Sequence, residues 1–525
     1  MFNNKRDNND EENEEKITET IEYTKEDTAL NMALTNEKLE IVKILLAKSN
    51  IDPNSKSIIK KKYQTDENAA FNIAIEKEYF DIARIFLSIK ELDPNIKSIN
   101  NRIEETPLSI AIAKGNMGFV KELISKDGID INQLIRCSET IFTGYQKRYY
   151  YNDDYEDDMY YGDYDNGRYK ESFQMKNILY IAIEQNDIDF INILLAHKDI
   201  DVNILTNSGH YSYDGKENQE TPLLLAVKKE NIKIIQKLLD HPNIDVNKKS
   251  IMRNSYLELF GRCRCVGQIR SEKSALYLAV ENGYTEIVKL LLSVKDINVN
   301  DKFVYNEKVK EEKTLLHVAF ESMHFEIILL LLKRNDLDVN AKKTITIIGE
   351  FGQKTESQKT PLYMLVELGL TAVVELLLQR KDIKINEKSV FTRKGCTKYV
   401  DVVVNYEGDM DSLPVEKEDY REEKTVLLAA VEHENIEMVS LLLSHPDINV
   451  NDKTTTRNII NDLELRKKTQ NNTSTTALHI AVKHKNVEII QLLLNHKKIN
   501  VNVVDNNNKR PVDLANDIAI KKLFQ

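Results

Sequence analysis

Residues 274–300 read SALYLAVENGYTEIVKLLLSVKDINVN, and this stretch is the unit that the chain repeats. Its apolar side chains cluster at 276–280 and 287–292, where they recur three and four residues apart. That spacing predicts two short amphipathic helices of about three turns each. Gly283 lies between them, where the chain must turn, because glycine adopts positive φ without a steric penalty. The closing Asp-Ile-Asn-Val-Asn alternates polar and apolar residues, which predicts an extended segment.

The unit recurs in one register along the chain. A small residue of the first helix, with one exception, marks each copy: Ala33, Ala74, Ala111, Ala182, Ala226, Ala279, Ala319, Leu365, Ala430 and Ala481. A closing asparagine follows each of them 21 residues later: Asn54, Asn95, Asn132, Asn203, Asn247, Asn300, Asn340, Asn386, Asn451 and Asn502. Helices this short are unstable alone, so each unit must bury its apolar faces against neighbouring copies. The larger Leu365 predicts a local adjustment in packing.

Several copies begin with the same residues: Thr106-Pro107-Leu108, Thr221-Pro222-Leu223, Thr360-Pro361-Leu362 and Thr476-Ala477-Leu478-His479. The threonine hydroxyl can accept a bond from a free amide, and proline lacks only an N–H that the first turn leaves unused. The pattern resembles the ankyrin repeat, which begins Thr-Pro-Leu-His-x-Ala-Ala. The resemblance covers residues 25–525 and implies an all-α fold, an ankyrin-type α-solenoid of stacked helix pairs. Between the pairs it places long β-hairpin or loop insertions, here called fingers.

The chain departs from the family pattern at its turns and in its period. Glu37, Glu78, Glu230 and Glu434 replace the turn glycine. Successive small-residue positions are 37 to 71 residues apart, against about 33 in the family. The surplus falls after each closing asparagine and so lengthens the fingers.

The predicted organisation is an acidic polar tail at 1–24, disordered by composition, and one repeat array at 25–525. The units lie near 27–54, 68–95, 105–132, 176–203, 220–247, 273–300, 313–340, 359–386, 424–451 and 475–502, with a C-terminal cap at 505–525.

Composition narrows the classes of partner. The 525 residues carry a formal net charge of −11, which argues against nucleic-acid binding, because that needs a basic surface. No apolar run is long enough to predict a membrane helix. Four cysteines in a long chain indicate a reducing compartment. We therefore predict a cytoplasmic protein, with the nucleus as the alternative.

The non-repeating insertions hold the candidate binding residues. Eight tyrosines and seven carboxylates lie between Tyr149 and Lys170. Two interpretations remain open: a solvated loop, or a recognition element in which tyrosines supply contact area and carboxylates favour a basic partner. A second segment, 398–406, is rich in β-branched and aromatic residues and predicts a strand, with a turn at 407–409 and residues 389–392 as its partner. Residues 344–348 are a similar strand. The candidate partner-binding residues are Tyr149, Tyr150, Tyr155, Asp157, Tyr160, Tyr161, Tyr399 and Tyr406.

Catalytic chemistry is not predicted, and neither is a cofactor or a metal. His197, His241, His445 and His496 share one slot after the second helix, and His317 and His479 share a helix-start slot, so all six are predicted to be structural. Cys263 and Cys265 supply at most two of the four ligands that a structural zinc ion needs.

The hypothesis is a monomeric, non-catalytic scaffold that binds a partner protein through its fingers and its concave face. Two alternatives stay open: an effector that acts on host proteins, and a regulatory subunit of an enzyme complex.

Overall fold

The computed structural model describes residues 24–61, 64–100, 103–136, 171–211, 216–260, 263–306, 309–349, 353–403, 410–463 and 466–525. The chain divides into two compact units, Met1–Cys137 and Ser138–Gln525. In each unit, pairs of short helices alternate with pairs of antiparallel strands. The prediction that residues 25–525 form one array stays a prediction.

The first unit contains three helix pairs in its described part. The helices are α1 (Ala29–Thr35), α2 (Leu39–Leu46), α3 (Ala70–Glu76), α4 (Phe80–Ser88), α5 (Pro107–Ala113) and α6 (Met117–Ile124). The strands are β1 (Thr24–Glu26), β2 (Lys56–Lys61), β3 (Gln64–Ala69), β4 (Ser98–Asn100), β5 (Ile103–Glu105) and β6 (Ile135–Arg136). Strands β1 to β5 form one antiparallel sheet in sequence order.

The described part of the second unit contains seven further helix pairs and a terminal cap. The helices are α7 (Ile178–Gln185), α8 (Ile188–Leu195), α9 (Pro222–Lys228), α10 (Ile232–Leu239), α11 (Ala275–Glu281), α12 (Thr285–Leu292), α13 (Leu315–Glu321), α14 (Phe325–Leu332), α15 (Pro361–Glu367), α16 (Thr371–Leu378), α17 (Val426–Glu432), α18 (Ile436–Leu443), α19 (Ala477–His484), α20 (Val487–Leu494) and α21 (Ile518–Lys522), with a 3₁₀ helix at Pro511–Leu514.

Its strands follow one another in a single antiparallel sheet, in sequence order from β7 to β19. They are β7 (Glu171–Lys176), β8 (Asn207–Tyr211), β9 (Lys216–Gln219), β10 (Ser250–Phe260), β11 (Cys263–Lys273), β12 (Lys302–Asn306), β13 (Val309–Thr314), β14 (Lys343–Ile348), β15 (Lys354–Lys359), β16 (Ser389–Val403), β17 (Met410–Lys424), β18 (Lys453–Asp462) and β19 (Lys467–Thr476). Each finger is thus a hairpin that also pairs with a strand of the next finger.

The first helix of each pair begins and ends on local chemistry. Thr106, Thr221 and Thr360 cap α5, α9 and α15, each accepting a hydrogen bond from a backbone N–H in the first turn, and proline follows each threonine. The predicted helix start is therefore confirmed. The helices are shorter than predicted: α11 has seven residues and α12 has eight, about two turns each. The cap and the turn leave no room for a third turn.

The turn between the paired helices requires a left-handed residue. Gly283 has φ 75°, and the four glutamates predicted for the same slot have φ between 51° and 60°. These glutamates therefore occupy the same conformation without glycine's steric freedom. The cost is small enough that the repeats tolerate it.

The ten small-residue positions, Leu365 included, are all buried. The second helices bury one stripe each, as Ile287, Val288 and Leu291 of α12 do. Burying such a side chain contributes roughly 1.5–3 kcal/mol. The core therefore lies between the two helices of a pair and between neighbouring pairs.

The closing segment differs from its prediction. Residues 293–300 form successive turns, not an extended strand. The alternation reflects burial, because Ile297 and Val299 are buried while the asparagines between and after them serve as hydrogen-bonding groups. The backbone N–H of Asn300 donates to Asn298 Oδ1 at 3.0 Å, which closes a local side-chain turn.

The all-α class is not confirmed, because the described residues also contain nineteen strands. The reason is that the described residues between the closing asparagines and the next helices form hairpins, most of which also pair with a neighbouring finger. The predicted pairing of 398–406 with 389–392 is wrong for the residues that the structure describes, since 389–392 and 398–403 belong to the one strand β16, which pairs with β17. Residues 404–409, with the predicted turn at 407–409, lie outside the described residues. The pairing shifts register between Cys396 and Tyr399, which bends the strand without turning it.

Candidate functional site

The first helices of the second unit meet the hairpin sheet along one surface, which we call the helix–hairpin surface. In several repeats the third residue of the first helix makes a hydrogen bond to the residue that precedes the next helix cap. His479 Nε2 lies 3.0 Å from the carbonyl oxygen of Lys509, and Tyr180 donates its hydroxyl to Glu220 at 2.9 Å. In the first unit, Asn31 and Asn72 fill the same slot and donate to the carbonyls of Asn68 and Glu105.

A lysine–glutamate pair spans the start and the end of most first helices along this surface. The lysine lies at or next to the end of the incoming strand, and the glutamate lies eight residues later, at or near the helix end. Ion pairs of 2.6 to 3.0 Å join Lys176–Glu184, Lys273–Glu281, Lys313–Glu321, Lys359–Glu367 and Lys424–Glu432. Such partly exposed pairs contribute at most about 1 kcal/mol each.

One pair of this series has its charges reversed. Glu220 precedes α9 and Lys228 ends it, and the two side chains pair with each other. The reversed Glu220 also accepts a hydrogen bond from the Tyr180 hydroxyl of the preceding repeat, which a lysine could not accept. Burial and the neighbouring Glu220 raise the pKa of Tyr180, which keeps its hydroxyl a donor.

Aromatic rings lie beneath the lysines. Lys273 Nζ lies 5.5 Å from the centroid of the Tyr277 ring and 5.7 Å from that of Phe303, and the two rings stack at 4.5 Å. Lys359 lies 5.8 Å from the ring of Tyr363. Cation–π contacts of this kind fix the lysine stems and make this part of the surface rigid.

A four-charge cluster occupies the middle of the surface. Lys343 lies 2.6 Å from Glu311 and also pairs with Glu321, which Lys313 contacts at 2.7 Å. Burial alone would raise the pKa of Glu321, but hydrogen bonds from the two lysines outweigh it and the pKa is lowered. The carboxylate is therefore held in its charged form.

Three cavities recur at equivalent places on the helix–hairpin surface. The largest, about 480 Å³, lies between α13 and α15 against the β14–β15 hairpin. A second of about 290 Å³ lies beside α15 and the β16–β17 hairpin, and a third of about 100 Å³ lies beside α9 and the β10–β11 hairpin. The surface is thus recessed at several repeats, where its own side chains do not fill the angle between helix and sheet.

The histidines take part in backbone hydrogen bonding. In His197, His241, His445 and His496, Nδ1 accepts the N–H of the second following residue at 3.2 to 3.3 Å. His317 and His479 accept the N–H of their cap residues, Thr314 and Thr476, at 3.3 Å. Burial lowers the pKa of His317 to about 4 and lowers that of His479 as well. Both rings are neutral at neutral pH and serve the backbone.

Most of the sequence-predicted binding residues lie outside the described residues: Tyr149, Tyr150, Tyr155, Asp157, Tyr160, Tyr161 and Tyr406. Tyr399 is on β16, opposite Pro414 of β17. The helix–hairpin surface itself was missed at the level of residues. A signal for it existed, since a lysine and a glutamate eight residues apart recur in register with the small residues.

Two further observations concern metals and membranes. Within the described ranges, no group of three or more His, Cys, Asp or Glu side chains is arranged to hold a metal ion. No helix in that part of the chain has the length and apolar character needed to cross a bilayer.

Comparison with known proteins identifies the repeats. A family model for ankyrin repeats in three copies matches residues 161–250, 256–343, 389–505 and 451–519, and a single ankyrin repeat model matches 104–135. A search of curated proteins found no match.

Among solved structures, the ankyrin repeat domain of Bcl-3, described as a unique member of the IkappaB protein family, is 18% identical with a TM-score of 0.34; the alignment covers 58% of this chain and 98% of that one. The ankyrin repeat protein EF0377 is 18% identical with a TM-score of 0.28, covering 47% and 93%. Ankyrin repeats generally mediate protein–protein interaction and are typically non-catalytic. Since the sequence models match more than half of its length, the chain belongs to the ankyrin repeat family.

Proposed function

We propose that the chain is a non-catalytic scaffold that binds a partner protein along the helix–hairpin surface and its fingers. The observation that carries the proposal is the recurrence of cavities at equivalent places, of about 480, 290 and 100 Å³. A surface recessed at several repeats, with rigid charged pairs between the recesses, suits an extended contact made of many small complementary sites.

The finer features of the proposal rest on composition. The net charge of −11 favours a partner with a basic surface, because complementary charge speeds association. The tyrosine-rich insertion, with Tyr149, Tyr150, Tyr155, Asp157, Tyr160 and Tyr161, would add contact area, and Tyr399 and Tyr406 would extend it at the β16–β17 finger. We place the chain in the cytoplasm as a monomer, in keeping with its sparse cysteines.

Affinity capture from the source cell tests the proposal with three chains. The first is intact. The second lacks residues 396–417, which shortens the finger at the Gly395–Glu418 pair and keeps the paired base. The third carries Lys233→Ala and Glu375→Ala on exposed faces of α10 and α16, which line none of the three cavities.

The expected result is a protein retained by the intact and control chains and lost, or bound at least tenfold more weakly, by the shortened chain. A parallel deletion of residues 145–168 asks the same question of the tyrosine-rich insertion. Equal retention by both deleted chains would overturn the proposed role of the fingers, and substrate turnover by the purified chain would overturn the non-catalytic assignment.

A further inference from the structure

Two apolar residues stand in repeat slots that are polar or glycine in the other copies. The left-handed turn slot holds Met323 in the seventh repeat, and elsewhere Glu37, Glu78, Gly115, Asn186, Glu230, Gly283, Gly369, Glu434 and Lys485. The slot before it holds Leu368 in the eighth repeat, and elsewhere Asn36, Lys77, Lys114, Gln185, Lys229, Asn282, Ser322, His433 and His484. Helix packing does not require either side chain, because polar residues serve in every other copy.

Both side chains are largely exposed to solvent. Met323 adopts φ 57° and is 46% exposed, and Leu368 is 53% exposed. The glutamates and Lys485 adopt the same positive φ in this slot, so the backbone conformation does not require an apolar side chain at Met323. Because these apolar side chains remain in water, they add no hydrophobic stabilisation to the folded chain.

The two residues meet at the largest cavity. Met323 and Leu368 lie at its mouth, and Phe320, Met364 and Ile345 form its apolar lining. Here α13 and α15 pack less closely than the other neighbouring first helices of the second unit. Leu365, the one large residue in the small-residue slot, belongs to α15. The gap at this repeat therefore coincides with three departures from the repeat pattern.

An apolar track leaves the cavity along the finger. Ile345 and Ile347 alternate with threonines on β14, so they share a face. Val309 lies directly opposite Ile347 on β13, and these two side chains are 36% and 43% exposed. Positions two apart on a strand are separated by about 7 Å. A bound segment could thus place one apolar side chain in the cavity and a second on the Val309–Ile347 pair.

The charges at the rim select an uncharged occupant. Lys343 pairs with Glu321 and Glu311, and Lys359 pairs with Glu367 at 2.6 Å. Each charged side chain of the lining is therefore matched within the chain. A charged group entering the cavity would be desolvated without a counter-ion, which is unfavourable.

We propose that the cavity between α13 and α15, with Met323 and Leu368 at its mouth, is an anchor site for a polypeptide segment of the partner that carries two uncharged, apolar side chains about 7 Å apart. The inference rests on the proposed function and specifies the chemistry of one site on the same surface. The track continues over the open sheet, so the occupant is a chain segment and not an enclosed small molecule.

Random 16-residue peptides displayed on phage are the probe. Panning on the intact chain is expected to enrich peptides with two large apolar residues two or four positions apart, the spacings that a strand or a helix presents at that distance. Synthetic copies should bind at least tenfold more weakly to the Met323→Gly and Leu368→Ser chains. In spectra of methyl-¹³C-methionine protein, the Met323 and Met364 signals should shift on peptide addition.

Met323→Gly separates binding from folding. Glycine relieves the positive φ, so its melting temperature should equal or exceed that of the intact chain while its binding falls. Glu230→Gly is the matched control: it changes the same slot of the fifth repeat, where φ is 52°, and should leave peptide affinity within twofold.

Peptides that bind the Met323→Gly and Leu368→Ser chains as tightly as the intact chain would overturn the anchor site, as would panning that enriches no peptide. A cellular partner lost on finger shortening but unaffected by Met323→Gly would reject this inference and leave the proposed function standing. A partner insensitive to both changes would reject both.

Discussion

The side-chain amide of Asn340 donates a hydrogen bond to the carbonyl oxygen of Asp382, 42 residues further along the chain, at 2.8 Å. The Oδ1 atom of the same asparagine accepts the N–H of Lys384 at 2.8 Å. One side chain thus fixes the closing loop of the next repeat through both of its polar groups. Equivalent pairs of bonds are made by Asn54, Asn95, Asn203, Asn247, Asn300, Asn386 and Asn451.

Asn340→Ala should lower the free energy of unfolding by about 1–2 kcal/mol, since it removes two exposed hydrogen bonds that contribute about 0.5–1.5 kcal/mol each. Urea denaturation measures the change. Asn502→Ala is the control, because the exposed Asn502 side chain makes no such bond to a later repeat within the described residues. If Asn502→Ala lowers the free energy of unfolding as much as Asn340→Ala does, the bonds from each closing asparagine to the next repeat are not the cause.

Gly283→Ala should destabilise the chain more than Gly115→Ala. Both glycines have positive φ, 75° and 72°, so each substitution costs about 1 kcal/mol in backbone strain. A Cβ at 283 would also lie 2.6 Å from His324 Cε1, whereas nothing lies within 4 Å at 115. The His324 ring would have to move and give up its 3.3 Å contact with the Glu281 carbonyl, adding about 1–2 kcal/mol. Thermal denaturation compares the two.

A double variant checks the cause. If the ring is the obstacle, His324→Ala should make Gly283→Ala cost no more than Gly115→Ala does. An unchanged cost in that background would assign the effect to the backbone alone.

Stability should fall as the pH drops below about 6.5, the ordinary histidine pKa. Burial lowers the pKa of His317 to about 4 and lowers that of His479, so the unfolded chain binds more protons than the folded one in this window. Stability contributed by the neutral rings is present above pH 6.5 and is lost as the pH falls toward the folded values. Unfolding by urea between pH 7.5 and 5 measures the slope.

Replacing both histidines by asparagine should flatten that slope, because Asn31 and Asn72 show that asparagine can bond in the same slot. The neighbouring charges have opposite effects on the pKa of each histidine. Glu321 raises and Lys343 lowers the pKa of His317, and Asp505 raises and Lys453 lowers that of His479. The double variant isolates the rings, and an unaltered slope between pH 6.5 and 5 would exclude them as its source. Carboxylates such as Glu321, whose pKa is lowered, add their own loss only at lower pH.

The reversed pair predicts an incomplete rescue. Lys228→Glu should cost about 1 kcal/mol, because it sets two carboxylates against each other. Adding Glu220→Lys restores opposite charges but removes the acceptor of the Tyr180 hydroxyl, a loss of about 1 kcal/mol. The double variant should therefore stay less stable than the parent in urea denaturation. With Tyr180→Phe as background, where that bond is absent, the rescue should be complete.

The helix pairs were predictable because their signals are local and repeated. Each of these signals acts within one unit: the Thr-Pro caps, the turn slot of Gly283 and Glu230, and the buried alanines. Because the unit recurs ten times, the pattern can be recognised even where single copies depart from it. The closing asparagines were found by register alone. Their bonds to the next repeat could not be inferred from the sequence, since they depend on how the repeats stack.

The strands were harder to predict because their pairing is not local. Residues 389–392 and 398–406 look like two strands separated by Gly395, yet 389–403 form one strand, since β17 supplies a partner along that whole length. Gly395 has φ 131°, and a Cβ there would lie 2.8 Å from the Cα of Gln353 in the preceding finger. That constraint comes from a neighbouring repeat and has no signature in the segment itself. The cavity between α13 and α15 could not be predicted from the sequence for the same reason, since Met323 and Leu368 belong to different repeats.

Each finger pairs with the next only over part of its length. Among the described residues, strands β11 and β12 pair only at Arg270 and Ser271, although the β10–β11 hairpin has eleven residues on each strand. Residues added in opposed pairs near a tip therefore leave the register at the base unchanged. The length of one finger can therefore change independently of the others. A longer hairpin at one repeat extends further from the helices, while the contacts between all other repeats stay the same.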